Sequence, residues 1–142
     1  MIKIAHRGNR NGPSSRENEP AFILEAIQQG LDVEVDVWFY NRKWYLGHDN
    51  PTYLIDFKFF ENWSDKLWVH CKNIEAVVEL RPYADRINFF WHEADKYTLT
   101  SRGFIMVCPN SPVPDKGGAV MMPEWYPQWD IRKTEYVCSD YT

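Results

Sequence analysis

Two carboxylates in one short segment are the residues whose types and spacing best suit metal chemistry. Glu34 and Asp36 stand two residues apart in the run Asp-Val-Glu-Val-Asp-Val, so a strand directs both to the same face. Buried together they repel each other and lose hydration, and a hard cation with oxygen ligands offsets both costs. A strand with one solvated polar face is the other interpretation of this pattern.

Two histidines supply the acid/base chemistry. His6 follows an apolar strand-like segment, and His48 follows a second segment that returns from a turn. An imidazole gains or loses a proton near neutral pH, so two facing histidines can serve as general acid and general base. A single histidine is more often structural, and the pair gains weight only from the local sequence around each member.

The elements that position these residues are mostly strands. Apolar or alternating segments predict strands at 2–5, 32–39, 67–71, 87–91, 104–107, 119–122 and 136–138. Pro20 suits a first helical position and Gly30 a helix end, so a helix is predicted between them, and another over 74–80. After a turn at 41–43, residues 44–47 complete a hairpin with the second strand, and 109–118 is a Pro/Gly/Ser-rich loop.

Polar side chains follow these strands where each one ends. They are His6, Glu34, Asp36, His70, Lys72, His92, Glu93 and Asp140. In parallel α/β folds, active sites gather at the carboxyl ends of strands. The pattern predicts a single polar mouth on an apolar barrel.

Composition limits the class of protein. The chain has 142 residues, 44% hydrophobic and 16% aromatic, which excludes a disordered chain and favours one folded domain. A net charge of −4 gives no electrostatic case for binding nucleic acid. No apolar run is long enough to span a bilayer, and the N-terminal segment lacks a signal-peptide pattern. Cys71, Cys108 and Cys138 show no paired spacing, so we expect a reduced, cytoplasmic protein without disulfides.

Four motifs in order resemble the glycerophosphodiester phosphodiesterases. That family's pattern is His-Arg-Gly, then Glu-Asn-Thr, then Glu-x-Asp, then His-Asp. In this chain the motifs are His6-Arg7-Gly8, Glu17-Asn18-Glu19, Glu34-Val35-Asp36 and His48-Asp49. The segment 137–141 also resembles that family's last strand, which commonly ends Thr-Asp-Tyr-Pro. The resemblance is dense over residues 4–51 and sparse through the middle of the chain.

The resemblance implies an α/β fold, a triosephosphate-isomerase-type (β/α) barrel, with residues 1–142 as a single phosphodiesterase-like barrel domain. A full barrel of this type typically takes about 250 residues. The barrel is therefore expected to be reduced, with some helices missing or shortened. It could also have fewer strands or be completed by a second subunit in a homo-oligomer.

The resemblance also implies an activity, the metal-dependent hydrolysis of a glycerophosphodiester or a related sugar or glycerol phosphodiester. His6 and His48 would be the acid/base pair, with no assignment of which is which. The metal ligands would be Glu34, Asp36 and Glu17, although Glu17 could instead orient His6. Arg7 and Lys72 would bind the phosphate, a task suited to cationic side chains.

One position departs from the family pattern and affects the choice of cation. Where the family usually has Glu-x-Lys, this chain has His70-Cys71-Lys72. The family pattern favours magnesium or calcium, and His70 as a nitrogen ligand makes manganese or zinc possible. Among residues with weaker support, His92 and Glu93 could line the mouth, Trp125 and Tyr126 could flank the substrate, and Asp140 could orient its neighbours.

Two alternatives stay open from the sequence. A phospholipase-D-like lyase would release a cyclic phosphate instead of hydrolysing it. A catalytically inactive barrel would bind a phosphorylated ligand, and the replacement at His70 is the one feature that favours it. In all three interpretations the partner is a small-molecule phosphodiester or phosphorylated ligand, with no nucleic acid and no membrane span.

Overall fold

The computed structural model describes all 142 residues, and strands supply most of its regular structure. The strands are β1 Ile2–His6, β2 Asp32–Tyr40, β3 Lys43–Leu46, β4 Tyr53–Ile55, β5 Leu67–Cys71, β6 Phe89–Phe90, β7 Tyr97–Leu99, β8 Ile105–Val107, β9 Gly118–Met121 and β10 Tyr136–Ser139. The helices are α1 Pro20–Gln28, α2 Lys58–Asn62 and α3 Ile74–Leu80, and short 3-10 helices cover Arg81–Tyr83 and Pro123–Trp125.

All ten strands belong to one sheet. Its central part runs β8-β9-β10-β1-β2-β5-β6, with every neighbouring pair parallel. The β3–β4 hairpin joins the far end of β2 in antiparallel fashion, and β7 is antiparallel to β8. The register places His6 beside Glu34 and Asp36 beside His70. Residues distant in sequence therefore come together at one end of the central strands.

The prediction of a reduced triosephosphate-isomerase-type barrel is wrong. The sheet curls into a half-barrel, and only 19% of residues are helical, in three short α-helices and the two 3-10 segments. No α-helix follows β6, β8 or β9. The connections there are short or rich in proline, which removes a backbone donor and opposes helix formation. The curl is nevertheless strong, because the Trp68 ring of β5 lies 4.8 Å from the Phe104 ring just before β8.

The convex face of the N-terminal half packs against helices. Val33, Val35 and Val37 alternate towards this face and are fully buried, within a core cluster of 17 residues. α1 contributes Ile23, Ala26 and Ile27 to this cluster, and Gly30 with φ of 84° follows its end. α3 begins at the Asn73 cap, whose side chain accepts a hydrogen bond from the Ala76 N–H.

The concave face has a smaller core of its own. Ile4, Trp68, Phe90, Met106, Ala119 and Cys138 form this six-residue cluster. Because side chains alternate along each strand, the residues that follow on the same face point into the concave side nearer the strand ends. On β2 these residues are Glu34 and Asp36, which are buried despite their charge.

The strands and helices predicted near the motifs are confirmed, namely β1, α1, β2, β3, β5 and α3. Of the strand predicted at 87–91, only Phe89–Phe90 is a strand, and β4, α2 and β7 were not predicted. Cys71 and Cys138 are buried and Cys108 is half-buried, and all three are free. None of the helices combines the length and the apolar character needed to cross a membrane.

Candidate functional site

A pocket of about 440 Å³ opens at the carboxyl ends of the central strands. It is lined by all eight residues that the sequence analysis assigned to a site, namely His6, Arg7, Glu17, Glu34, Asp36, His48, His70 and Lys72. The other polar residues expected at the strand ends also line it, with the exception of Glu93. These polar side chains therefore converge on one pocket, with Glu93 outside it.

Glu34, Asp36 and His70 form a group that could hold a metal ion. Each offers one ligand atom, and these atoms all lie within 4.8 Å of one another. The His70 Nδ1 atom is 3.1 Å from Asp36 Oδ1 and 3.8 Å from Glu34 Oε1. The arrangement follows from the parallel register of β2 and β5, which sets Asp36 beside His70 on the same face.

The electrostatics of Glu34 fit a bound cation. Its carboxylate is fully buried, and its Oε2 atom has no hydrogen-bond partner. Burial and the neighbouring charge of Asp36 raise the pKa of Glu34 to about 8. A buried carboxylate with a free oxygen is costly unless a positive charge accompanies it. Two oxygen donors and one imidazole nitrogen suit a divalent cation.

Asp36 is held in its ionised form by its neighbours. The Asn18 amide donates to Asp36 Oδ2 at 2.9 Å, and the Asn18 Oδ1 accepts from the Asp36 backbone N–H at 2.9 Å. Although burial opposes the charge, the His70 and Asn18 hydrogen bonds lower the pKa of Asp36 to about 2. The sequence contained Asn18 as part of a motif, but its role in fixing Asp36 became visible only in the structure.

Arg7 and Glu17 form an ion pair beside this group. Arg7 Nη1 is 3.1 Å from Glu17 Oε2, and Arg7 Nε is 3.2 Å from Asp36 Oδ2. The other Glu17 oxygen accepts a hydrogen bond from the Asn9 amide at 2.9 Å. Glu17 lies outside the group of three potential ligands, and its role as a metal ligand stays a prediction.

His6 is held rigidly at the end of β1. Its Nδ1 is 2.8 Å from Asp140 Oδ1, and its Nε2 is 3.7 Å from Glu34 Oε2. An ionised carboxylate only accepts, so we assign the Nδ1 proton to the Asp140 contact. Burial lowers the pKa of His6, but the Asp140 hydrogen bond and the charge of Glu34 outweigh it and raise the pKa above its usual value. His6 therefore presents Nε2 towards the buried carboxylates.

Asp140 orients His6, which the sequence analysis raised only as a minor role. Besides His6, its Oδ1 accepts from the Asn9 amide at 2.8 Å. Although burial opposes ionisation, these two hydrogen bonds lower the pKa of Asp140. The backbone N–H of Asp140 donates to Glu124 Oε1 at 2.9 Å, which ties the strand end to the turn after β9.

His48 lies in the loop after β3 and is much freer. Its side chain is 41% exposed, and its Nδ1 is 2.7 Å from a carboxylate oxygen of the adjacent Asp49. Gly47 fixes the backbone before it, because its N–H donates to the Asp36 carbonyl and its own carbonyl accepts from the Trp38 indole. Gly47 has a φ of 153°, and a Cβ there would collide with the backbone oxygen of Asn50.

Aromatic stacking fixes the plane of His70. The His70 ring stacks on Phe90 at 5.0 Å and on His92 at 4.6 Å between centroids. Burial lowers the pKa of His70 in spite of the Asp36 carboxylate, which favours the neutral imidazole that ligates metals. His92 lines the pocket as predicted, and the stack suggests that it positions His70.

Part of the pocket lining is apolar. Phe90, Met106, Met121, Met122 and Trp125 line it. Trp125 was predicted to flank the substrate and does line the pocket, whereas Tyr126 does not. The methionines could not be recognised from the sequence as site residues, because methionine in an apolar strand is indistinguishable from ordinary core.

The arrangement can bind a cation, bind an anion and move protons within one cavity. Arg7 and Lys72 provide positive charge near the potential ligands, and His6 and His48 line the cavity with them. Comparison with known proteins adds no family to this description, since no protein-family model, curated protein or solved structure matches the chain.

Proposed function

We propose that this protein is a metal-dependent phosphodiesterase that hydrolyses a glycerophosphodiester, or a related sugar or glycerol phosphodiester, to an alcohol and a phosphomonoester. The observation that carries the proposal is that two histidines, two cationic side chains and a buried Glu34–Asp36–His70 group line one pocket. The resemblance of the four motifs to the glycerophosphodiester phosphodiesterases supports the same reaction.

Glu34, Asp36 and His70 would hold the cation. When bound, a divalent cation acts as a Lewis acid on a phosphoryl oxygen. The unpartnered Glu34 oxygen and the raised pKa of that carboxyl support this role, because both are relieved by a positive charge. The mixed oxygen and nitrogen donors make manganese and zinc candidates beside magnesium and calcium.

Arg7 and Lys72 would bind the remaining phosphate oxygens. A guanidinium offers planar, charge-assisted hydrogen bonds to a phosphate, and an ammonium offers a compact charge. Glu17 and Asp36 hold Arg7 in place from two sides. The phosphorus would then lie between the cationic groups and the two histidines.

The histidines would transfer the protons. Water forms a bond to phosphorus and loses its proton to one imidazole; if a neighbouring substrate hydroxyl attacks first, water must then open the resulting cyclic phosphate to give the monoester. The bond between phosphorus and the leaving alcohol breaks, and the other imidazole supplies a proton to that oxygen. Asp140 keeps His6 in the tautomer that directs Nε2 inward, as a carboxylate partner does for other catalytic imidazoles.

The experiment is hydrolysis of a panel of glycerophosphodiesters, followed by phosphorus NMR, with magnesium, calcium, manganese, zinc or chelator. We expect turnover that chelator abolishes and that one cation restores best. Glu93→Gln serves as a control variant that should keep the turnover of the wild type. Glu93 follows the same strand as His92 but does not line the pocket.

The products also separate the alternatives. A phosphomonoester supports hydrolysis, whereas a cyclic phosphate that persists would replace the hydrolase with a lyase. Absence of turnover with every cation would contradict the proposed function.

A further inference from the structure

The pocket is divided into a polar side and an apolar side. The groups that we assign to the reaction lie on β1, β2 and β5 and in the loops that follow β1, β3 and β5. The apolar groups come from β6, β8, β9 and the turn after β9. Phe90 adjoins the first set, since its ring stacks on His70, and the curl of the sheet brings the methionines of β8 and β9 round to the same cavity. A molecule bound at the polar side therefore meets an apolar surface with its other end.

The apolar side is held in a costly backbone conformation. Met122 has φ of 50° and ψ of 52°, a left-handed conformation that is unusual for a residue other than glycine. Its side chain is buried, and its carbonyl accepts from the Trp125 N–H at 3.1 Å. The conformation turns the chain from β9 into the 3-10 helix Pro123–Trp125, and this turn brings Trp125 to the pocket.

The same turn is fixed to the reacting side. Glu124 Oε1 accepts the backbone N–H of Asp140 at 2.9 Å, and the Asp140 carboxylate holds His6. Two hydrogen bonds thus connect the residue before Trp125 to the imidazole. The spacing between the apolar surface and His6 is set by this connection.

The apolar side is also accessible. Trp125 is 60% exposed although it lines the pocket, and Met121 is half-buried. Methionine adapts its shape to different apolar ligands, and exposed tryptophan offers a large apolar surface. A volume of about 440 Å³ exceeds what a phosphate group fills and lies in the range of small-molecule sites.

We infer that the pocket takes a phosphodiester in which one of the two alcohols is apolar, an alkyl or aryl group that packs against Met121, Met122 and Trp125. This inference rests on the proposed function for the placement of the phosphate, and it narrows the substrate class. A diester of two polar alcohols would leave the apolar side in contact with hydroxyl groups, which gain nothing there.

The test compares the methyl, butyl and hexyl esters of glycerol 3-phosphate with glycerophosphoglycerol, a diester of two polar alcohols. All are supplied as dissolved monomers with the cation that gives the highest turnover. We expect kcat/KM to rise along the alkyl series by up to about fourfold for each methylene that enters apolar surroundings. Turnover of glycerophosphoglycerol as fast as that of the butyl ester would overturn the inference.

Substitutions test which residues cause the preference for an apolar alcohol. Trp125→Ala and Met121→Gln each shrink or polarise the apolar side, and we expect each to lower the butyl-to-methyl ratio of kcat/KM by at least about threefold. Tyr126→Ala is the matched control, since Tyr126 adjoins Trp125 and does not line the pocket. If one variant fails to fold, the butyl-to-methyl ratio of the other variant still tests the inference. An unchanged ratio in a folded variant would contradict the inference.

Binding separates this inference from the proposed function. If none of the esters is hydrolysed, the proposed function fails, and isothermal titration calorimetry of the same esters still tests the pocket. Tighter binding of the hexyl than of the methyl ester supports the apolar side, and equal affinity overturns it. A second arm presents a hexadecyl ester in phosphatidylcholine vesicles: its turnover indicates a lipid source, and turnover of the dissolved esters alone indicates a soluble one.

Discussion

His6 and His48 line the same pocket from two regions that are built differently. His6 ends a central strand, is 13% exposed, and contacts Asp140 on one side and Glu34 on the other. His48 lies in a loop, is 41% exposed, and its imidazole pairs only with the neighbouring Asp49. The first region is a network of buried polar groups, and the second is a fixed backbone that carries a free side chain.

Because of this difference, substitutions in the two regions should affect the free energy of unfolding differently. In a buried network each group satisfies others, so removing one leaves its partners unpaired at a cost to folding. An exposed imidazole is solvated with or without its partner, so its removal leaves folding nearly unchanged. Substitutions in the two regions should therefore have similar effects on turnover and different effects on stability.

The largest effects are expected from substitution of the two histidines. We expect His6→Ala and His48→Ala each to lower kcat by about 100- to 10,000-fold, the usual contribution of a general acid or base. Only His6→Ala should also lower the free energy of unfolding, because Asp140 and Glu34 lose a partner. Activity assays and urea denaturation measure the two quantities. Equal losses of stability would remove the distinction between the two regions.

Gly47→Ala tests whether the backbone of the second region is as rigid as the structure indicates. The added Cβ would collide with the Asn50 carbonyl and displace the His48 loop. We expect kcat to fall by about 10- to 100-fold, since small displacements of a reacting group are costly. Gly103→Ala is the matched control, because Gly103 also has positive φ but has open space around it. An equal effect of both substitutions on kcat would argue against a positioned His48.

The carboxylates that pair with the two histidines, Asp140 and Asp49, should show a smaller difference in the free energy of unfolding. Asp140→Asn should lower the free energy of unfolding by about 1–3 kcal/mol, the cost of a lost buried hydrogen bond to a charged group. Asp49→Asn should change it by less than about 0.5 kcal/mol, as is usual for an exposed site. Thermal or chemical denaturation of both variants measures the difference, and a larger effect at Asp49 would contradict the assignment.

A separate prediction concerns the pH dependence of stability without a cation. The folded-state pKa of Glu34 is raised from 4.5 to about 8, so its contribution to stability is complete below the lower value and is lost as the pH rises through the upper one. In chelator, the wild type should therefore lose stability relative to Glu34→Gln between about pH 5 and about pH 9. Added manganese or magnesium should reverse the trend, because cations bind the ionised form. If the stability of the two proteins in chelator changes with pH in the same way, the pKa of Glu34 is not raised in the folded state.

Local patterns in the sequence predicted the strands and helices that carry the motifs, although not β4 and α2. The alternation of valine with Glu34 and Asp36 determines which face each occupies, and the spacing around α1 and α3 determines their buried sides. These signals depend on neighbours in sequence, and tertiary packing did not override them. The eight residues assigned to a site do line one pocket, because strand ends bring them together.

The barrel and the apolar side could not be predicted in the same way. The barrel followed from a resemblance that is dense only over residues 4–51, and the connections of the C-terminal half contain no helix-forming pattern to complete it. Met121 and Met122 resemble ordinary strand core, and only the left-handed turn at Met122 directs the following residues to the pocket. Asn18 and Asp140 act through long-range hydrogen bonds, which sequence spacing does not reveal.

The His6–Asp140 contact joins residues that are 134 positions apart, and this separation has a kinetic consequence. Contacts of long sequence separation have a large loop-closure cost and tend to form late in folding. The Glu34–Asp36–His70 group needs only β2 and β5, which are neighbours in the N-terminal half. A partly folded chain with β2 and β5 paired would already contain the proposed cation ligands while His6 still lacked its Asp140 contact. Cation binding would then stabilise the molecule before its catalytic geometry is complete, so that binding and activity would recover at different times during refolding.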